Sequence, residues 1–218
     1  MRSDTLILAA LTLATTTLAV AMYMLGYASS LEAISFVTGA TCVWLTVRES
    51  VWNYPVGLIN VMTFVFVFTR VGLYGDAGLQ VVYFALGLVG WYLWLYGGER
   101  KTRLSVSRAG RRELIAVIAT AAVLTLLLWQ TLQYVGGSAS LWDALTTAIS
   151  LGAQWLLNRK HLEAWIGWII VDVIYVPLYV YKSLYLTAIL YAVFLLMAIM
   201  GLRAWTRTWE ANRRKATA

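Results

Sequence analysis

The predicted helix 163–181 carries an acidic side chain among aromatic ones, deep inside an apolar run. Trp168, Asp172 and Tyr175 recur at helical spacing, so their side chains share one face of this helix. Trp165 lies on the same face, nearly one turn before Trp168. A carboxylate inside an apolar helix is costly, so by default it faces a cavity or a partner. Because aromatic faces attract cations, this pattern predicts a binding site for a flat ring that is cationic or forms hydrogen bonds.

Other apolar segments carry polar side chains for which we predict a role in the same site. Asn60 lies deep in its segment, Gln154 is a bulky member of a polar stripe along 141–157, and Gln80 lies near the start of its own segment. Two alternatives stay open: such residues often only hold membrane helices together, and Gln80 and Trp165 also suit the membrane surface. The predicted substrate-binding set is Trp165, Trp168, Asp172, Gln80, Tyr83, Gln154, Asn60 and Tyr175.

Two residues are predicted to act as hinges or gates. Pro177 lies inside the 163–181 segment, where a proline removes a main-chain hydrogen bond and bends a helix. Gly57 lies between Asn53 and Asn60 in the third apolar segment.

The composition is that of a protein surrounded mostly by lipid. Of the 218 residues, 61% are hydrophobic and only 12% are charged, whereas a soluble domain has about 25% charged residues. The net charge of +7 does not predict a nucleic-acid partner, because the basic residues lie in short runs between apolar segments. Cys42 is the only cysteine and His161 the only histidine, so we predict no metal site and no cofactor.

Eight apolar segments are each close to the ~20 residues that a helix needs to cross a bilayer. We therefore predict an all-α integral membrane protein with eight transmembrane helices, over residues 5–27, 31–47, 52–70, 77–96, 113–134, 141–157, 163–181 and 185–205. A cleavable signal peptide is the alternative for the first segment, because the small residues Ala28, Ser29 and Ser30 follow it. The length of that segment favours a spanning helix.

The basic residues predict the orientation of these helices. With eight spans, fifteen of the 17 Lys and Arg residues fall on one side of the membrane, and only Arg70 and Lys182 fall on the other. Since cytoplasmic loops carry an excess of basic residues, this bias places both termini and the 97–112 loop in the cytoplasm, with the protein in the cell (inner) membrane. We interpret these residues as orientation signals and not as a ligand site.

The sequence matches itself without a gap when residues 29–94 are shifted by 111 positions onto 140–205. Identical pairs across the shift include Trp44 with Trp155, Arg48 with Arg159, Ile59 with Ile170, Gly90 with Gly201 and Trp94 with Trp205. Three spans and one connector separate equivalent positions, so we predict two parallel repeats, with the substrate between them near mid-membrane. A duplication kept for packing alone is the alternative.

These observations divide the chain into five predicted parts. They are an extra N-terminal helix (1–28), a first three-helix repeat (29–97), a basic cytoplasmic loop with a connector helix (98–139), a second three-helix repeat (140–206) and a basic cytoplasmic tail (207–218).

Several motifs resemble those of the PnuC family of vitamin-precursor transporters. In the first half they are Trp52-Asn-Tyr-Pro-Val-Gly-Leu-Ile-Asn60, Leu79-Gln-Val-Val-Tyr-Phe84 and Gly90-Trp-Tyr-Leu-Trp94. In the second half they are Asn158-Arg-Lys-His-Leu-Glu-Ala-Trp165-Ile-Gly-Trp168 and Gly201-Leu-Arg-Ala-Trp205. The resemblance covers about residues 29–209, with matching order and spacing.

The resemblance implies a SWEET-like 3+1+3 arrangement, often trimeric, and facilitated diffusion of nicotinamide riboside, which a cytoplasmic kinase traps by phosphorylation. It implies that Trp165, Trp168, Asp172 and Gln80 line the site. Asp172 stands where the family commonly has asparagine, which leaves the exact substrate open, because nicotinamide riboside and thiamine are both cationic. We predict a homotrimeric transporter of nicotinamide riboside that works by alternating access and is not an enzyme.

Three other functions stay open. The first is a transporter of the same class for thiamine or a nucleoside. The second is a membrane enzyme, which needs a nucleophile–base pair or metal ligands near the surface, where His161 and Glu163 lie. The third is a sensor or scaffold without transport.

Overall fold

In lipid the main chain has no hydrogen-bond partner but itself, and long apolar runs therefore form helices. The structure is a computed structural model that describes residues 2–26, 30–70, 74–134, 140–181 and 185–217. The predicted residues Ala28, Ser29 and Lys182 lie outside these ranges. The described residues form a 3-10 helix, Glu99–Lys101, and eight α-helices: α1 (Arg2–Met24), α2 (Ser30–Val47), α3 (Asn53–Arg70), α4 (Tyr74–Tyr96), α5 (Arg111–Tyr134), α6 (Ser140–Asn158), α7 (Glu163–Tyr181) and α8 (Tyr185–Thr217).

The all-helical prediction is confirmed, and the predicted spans end within three residues of the observed helices at every end but one. The exception is α8, which continues to Thr217 although its predicted span ends at residue 205. Hydropathy marks where the apolar segment stops, and residues 206–217 contain no Gly or Pro that would end the helix there. The tail predicted at 207–218 is therefore a helical extension as far as Thr217.

The protein is an integral membrane protein. Within the described ranges, four helical segments are long and apolar enough to cross a membrane: Ala77–Tyr96, Arg111–Thr131, Glu163–Tyr181 and Ala188–Lys215. Ala9–Met24 and Ala33–Val47 are shorter apolar segments. The count of eight spans stays a prediction.

The chain divides into two compact units, Met1–Arg103 and Leu104–Ala218. In the first unit α1 packs on α2, α2 on α3, and α3 on α4. In the second unit α5 packs on α6, α6 on α7, and α7 on α8. Each unit is thus a series of helices in which neighbours in sequence are neighbours in space.

The turn from α2 to α3 and the turn from α6 to α7 have the same geometry, 111 positions apart. Glu49 and Lys160 hold left-handed main-chain angles, with φ of 55° and 54°. After them, Ser50 N donates to Leu45 O at 2.9 Å, and His161 N donates to the equivalent Leu156 O at 2.9 Å. This arrangement is the Schellman motif that ends many helices. Both turns therefore reverse the chain by the same hydrogen bonds.

An edge-to-face aromatic pair joins two helices in each unit, again at equivalent positions. Tyr54 lies 5.2 Å from Trp94 between ring centres, with an interplanar angle of 88°. Trp165 lies 5.3 Å from Trp205, with an angle of 86°. Trp94 and Trp205 are fully buried, and such pairs stabilise packing beyond their buried area. Gly201 leaves room for the Trp165 ring, since a Cβ there would lie 2.5 Å from a ring carbon.

The segment before α5 is fastened to the α6–α7 turn. Ser107 N donates to Lys160 O at 3.0 Å, and Leu162 N donates to Ser107 O at 3.0 Å. Next to this bridge, the Glu163 carboxylate accepts from Ala109 N at 2.9 Å and from Arg108 Nε at 3.0 Å.

A second set of polar contacts centres on Glu113 in the first turn of α5. Its carboxylate oxygens lie 3.2 Å from Arg159 Nε and 3.2 Å from His161 Nε2. Trp155 Nε1 donates to Glu113 at 3.3 Å, and the other ring nitrogen of His161 lies 3.0 Å from the Ser107 hydroxyl. The start of α5, the end of α6 and the 104–110 segment are thus joined by polar contacts.

Replacing Gly201 by alanine tests the packing of Trp165. Gly201→Ala places a Cβ against the indole, and overpacking of this kind costs about 1–3 kcal/mol. The unfolding temperature of the purified protein should therefore fall by several degrees. Gly78→Ala is the matched control, because a Cβ there meets nothing within 4 Å and alanine favours the helix. An equal fall in both variants would contradict the packing role of Gly201.

The stability of the protein should depend on the titration of His161. Burial lowers the pKa of His161 below its ordinary value of 6.5, and Arg159 adds to this while Glu113 and Glu163 oppose it. The unfolded chain then binds more protons than the folded one, so stability is complete above about pH 6.5 and is lost as the pH falls below it. Unfolding temperatures measured from pH 7.5 to 5.5 should fall, and His161→Gln should flatten the profile.

Ser107→Ala is the control for this pH dependence, because it removes the hydroxyl partner of His161 and keeps the imidazole. The unfolding temperature of Ser107→Ala should fall with pH as steeply as that of the unaltered protein. A slope that is equally steep in His161→Gln would mean that other groups carry the pH dependence.

Candidate functional site

The α7 helix places its acidic and aromatic face inside the second unit. Asp172 is 5% exposed and Trp165 is 2% exposed, whereas Ile170 and Val173 on the other face are 44% and 52% exposed. Trp168 is half-buried and precedes Asp172 by four residues, which is about 6 Å along a helix. The carboxylate therefore lies one turn from a large flat ring, in a setting from which water is largely excluded.

Beyond Asp172, tyrosines from α7 and α8 are packed together. Tyr175 lies 5.4 Å from Tyr179 and 4.8 Å from Tyr191 between ring centres. Tyr179 and Tyr191 are stacked at 5.1 Å, and Phe194 meets Tyr191 edge-on at 5.9 Å. The predicted site residue Tyr175 thus belongs to an aromatic cluster, formed by Tyr175, Tyr179, Tyr191 and Phe194.

Tyr191 and Phe194 were not among the predicted site residues. The internal repeat carries a signal for both, because a shift of 111 positions places Gln80 on Tyr191 and Tyr83 on Phe194. The pair singled out on α4 thus has an equivalent pair on α8.

Trp165 is held in the packing between α7 and α8. Its ring meets Trp205 and the main chain at Gly201. Its indole nitrogen is buried and has no hydrogen-bond partner among the described residues. Trp168 has more of its ring exposed and is the more accessible tryptophan of the two.

In the first unit, Asn60 joins α3 to α2. Its amide nitrogen donates to Ser35 O at 2.6 Å and to the Thr38 hydroxyl at 2.9 Å. Both amide hydrogens are used by these bonds, so the side-chain oxygen is the group that remains for a ligand. Gln80 and Tyr83 are half-buried on α4.

The other predicted residues take the following positions. Gln154 Nε2 donates to Asn158 Oδ1 one turn later, at 2.9 Å. Pro177 is exposed inside α7, which continues as a helix past it to Tyr181. Gly57 allows close contact with α2, because a Cβ there would lie 3.1 Å from Cys42 Sγ. The structure thus shows contacts for Gln154 and Gly57, while their roles in binding and gating stay predictions.

Of the two residues considered for an enzyme, His161 lies in the α6–α7 turn and Glu163 begins α7, and their predicted role stays untested. Ser107 and His161 are residue types of a nucleophile–base pair, and they lie 3.0 Å apart. His161 is 8% exposed, and Ser107 is held on both sides by main-chain hydrogen bonds. The contact between Ser107 and His161 holds the 104–110 segment against the α6–α7 turn. In the described part of the chain, no three His, Cys, Asp or Glu side chains are grouped to hold a metal ion.

The chain is similar to known transporters over most of its length. It is 29% identical over 203 residues to the nicotinamide riboside transporter PnuC of Escherichia coli, covering 81% of this chain and 85% of the relative. It is 28% identical over 189 residues to the riboflavin/roseoflavin transporter RibM of Streptomyces davaonensis, covering 84% of this chain and 86% of that relative. It also resembles the crystal structure of the vitamin B3 transporter PnuC, with a TM-score of 0.74, 25% identity, and 94% and 92% of the two chains covered.

These relatives are transporters and not enzymes, as predicted. The sequence model of the nicotinamide mononucleotide transporter family matches residues 29–207. Since that match covers most of the chain, the resemblance seen in the motifs is confirmed, and the protein belongs to the nicotinamide mononucleotide transporter family.

Proposed function

We propose that this membrane transporter carries nicotinamide riboside by facilitated diffusion. The observation that carries the proposal is the buried Asp172 carboxylate one turn from Trp168. Nicotinamide riboside has a flat pyridinium ring with a positive charge. A carboxylate attracts that charge more strongly where water is excluded, and an indole face stacks on the ring and attracts the same charge.

The predicted site residues contribute different groups to recognition in this proposal. Trp168 and Tyr175 supply aromatic surface for the ring, whereas the Trp165 ring is packed against Trp205 and Gly201. Asp172 supplies the negative charge, and the hydroxyls of a ribose are proton donors that also suit it. Hydrogen bonds to the ligand come further from the amides of Gln80, Gln154 and Asn60. For Asn60 the acceptor oxygen is the available group, since its amide nitrogen donates to α2.

A second candidate is another vitamin with a flat ring. The similarity to RibM favours a flavin, whereas Asp172 favours a cation such as nicotinamide riboside or thiamine. A flavin ring is neutral, so it gains nothing from the charge of Asp172 and leaves that carboxylate without a counter-charge. Nicotinamide riboside and thiamine are therefore better candidate substrates than riboflavin.

We propose alternating access as the mechanism, with residues 29–97 and 140–206 as two parallel three-helix repeats, α5 as the connector and α1 as an extra helix. The equivalent α2–α3 and α6–α7 turns support this division. Phosphorylation in the cytoplasm would trap the product, because a phosphate adds negative charge that a site built around a carboxylate repels. The family resemblance favours a homotrimer.

Uptake by proteoliposomes tests the substrate. Labelled nicotinamide riboside should equilibrate across the vesicle membrane without an ion gradient, and unlabelled nicotinamide riboside should compete while riboflavin should not. Uptake of riboflavin alone would contradict the proposal. Binding without flux would identify a sensor instead of a transporter.

Variants on α7 test the site in binding measurements on the purified protein. Trp168→Ala and Asp172→Ala should abolish binding. Asp172→Asn keeps the shape of the side chain and removes its charge. It should therefore lower the affinity for nicotinamide riboside by about 10- to 100-fold, which corresponds to the loss of one hydrogen bond to a charged group. Ile170→Ala, on the exposed face of the same helix, is the control that should bind normally. Unchanged affinity in both Trp168→Ala and Asp172→Asn would remove this site from α7.

We also propose that both termini lie in the cytoplasm, as the basic residues predict. Single cysteines test this in a Cys42→Ser background. Thr102→Cys should react with a membrane-impermeant maleimide only in permeabilised cells, whereas Tyr181→Cys should react in intact cells, and both side chains are exposed. The reverse pattern would invert the orientation.

A further inference from the structure

We propose that the second unit binds the phosphate of an anionic phospholipid headgroup at two arginines, Arg108 and Arg213, that both lie over the Trp209 ring. The Arg108 guanidinium lies 5.7 Å from the centre of the Trp209 ring, and the Arg213 guanidinium also lies 5.7 Å from it. Arg108 comes from the segment before α5 and Arg213 from the end of α8. Two positive groups from separate elements are therefore held around one aromatic ring.

The position of Trp209 along α8 matches the depth of lipid headgroups. Trp205, four residues earlier, is fully buried and ends the predicted span, so Trp209 lies about 6 Å farther along the axis. The headgroup layer beyond the hydrocarbon is roughly 5–7 Å thick on each side, and tryptophan is enriched there. Helical side chains lean toward the N-terminus, which lets Arg213 reach back over Trp209.

Arg108 is held in place by a bond that leaves its terminal nitrogens for another anion. Its Nε donates to Glu163 Oε1 at 3.0 Å, while its side chain remains 61% exposed. A guanidinium binds a phosphate through two parallel N–H groups, and the terminal nitrogens form such a pair. Glu163 thus orients the guanidinium and neutralises only part of the local positive charge.

The charge of the surrounding helix also favours an anion. Between residues 203 and 217, α8 carries five basic residues and one acidic residue, Glu210. Basic groups at this depth attract anionic lipids. A phosphate ion free in solution could bind the same arginines. The lipid is the source we propose, because the site lies where an apolar helix leaves the hydrocarbon, beside an interfacial ring.

Thermal unfolding of the full chain in neutral detergent tests the proposal. Phosphatidylglycerol should raise the unfolding temperature by about 5–10 °C at a concentration about 100-fold above its Kd. Phosphatidylcholine and inorganic phosphate should not. An equal shift with phosphatidylcholine would show that lipid tails alone suffice, and an equal shift with inorganic phosphate would show a site for soluble anions; either result overturns the proposal.

Three variants locate the effect. The double variant Arg108→Gln/Arg213→Gln should lose most of the phosphatidylglycerol shift, and Arg213→Gln alone, which leaves the Glu163 contact intact, should lose about half. Arg48→Gln is the matched control: Arg48 also lies over a tryptophan, 5.5 Å from the centre of the Trp44 ring, but in the first unit, and no second arginine of the described ranges lies over that ring. A full shift in Arg213→Gln, or an equal loss in Arg48→Gln, would overturn the site. No arm of the experiment uses the transported substrate.

Discussion

Hydroxyl groups inside these helices donate to main-chain carbonyls of their own helix. Thr41 donates to Val37 O at 2.7 Å and Thr63 to Ile59 O at 2.8 Å, each one turn earlier. A polar group in lipid must find such a partner within the protein. An ionised carboxylate has no proton to donate, and the carbonyls of its helix accept only. When ionised, the buried Asp172 therefore needs a donor or a cation that its own helix does not supply.

The same constraint explains the ends of the helices. The last carbonyls of α2 and α6 are bonded through the turns at Glu49 and Lys160, although the left-handed angles there are unfavourable for residues other than glycine. At the α6–α7 turn, the carboxylates of Glu113 and Glu163 accept hydrogen bonds from neighbouring donors, and the buried His161 lies beside Glu113. The interfacial polar groups thus hold the ends of the helices, whereas Asp172 is a buried carboxylate in the interior of α7.

Hydropathy and charge were sufficient to predict the helices, because crossing lipid demands long apolar runs whatever the tertiary contacts are. They were not sufficient to separate the roles of polar side chains. Asn60 and Gln154 look alike in sequence, yet Asn60 bonds to a neighbouring helix and Gln154 to its own. Trp165 likewise depends on Gly201, which is distant in sequence and brought to its ring by the packing of α7 on α8. Such pairings are set by tertiary structure and leave no local pattern.

The repeat distinguishes packing from chemistry within one chain. At the shift of 111 positions, Trp94 matches Trp205 and Gly90 matches Gly201, and the edge-to-face pairs coincide. By contrast, Trp168 stands opposite Gly57 and Asp172 opposite Val61. Packing positions have thus kept their types in both copies, because each copy must bury the same interface. Trp168 and Asp172 are thus particular to the second copy, and the role of these two side chains in binding stays a prediction.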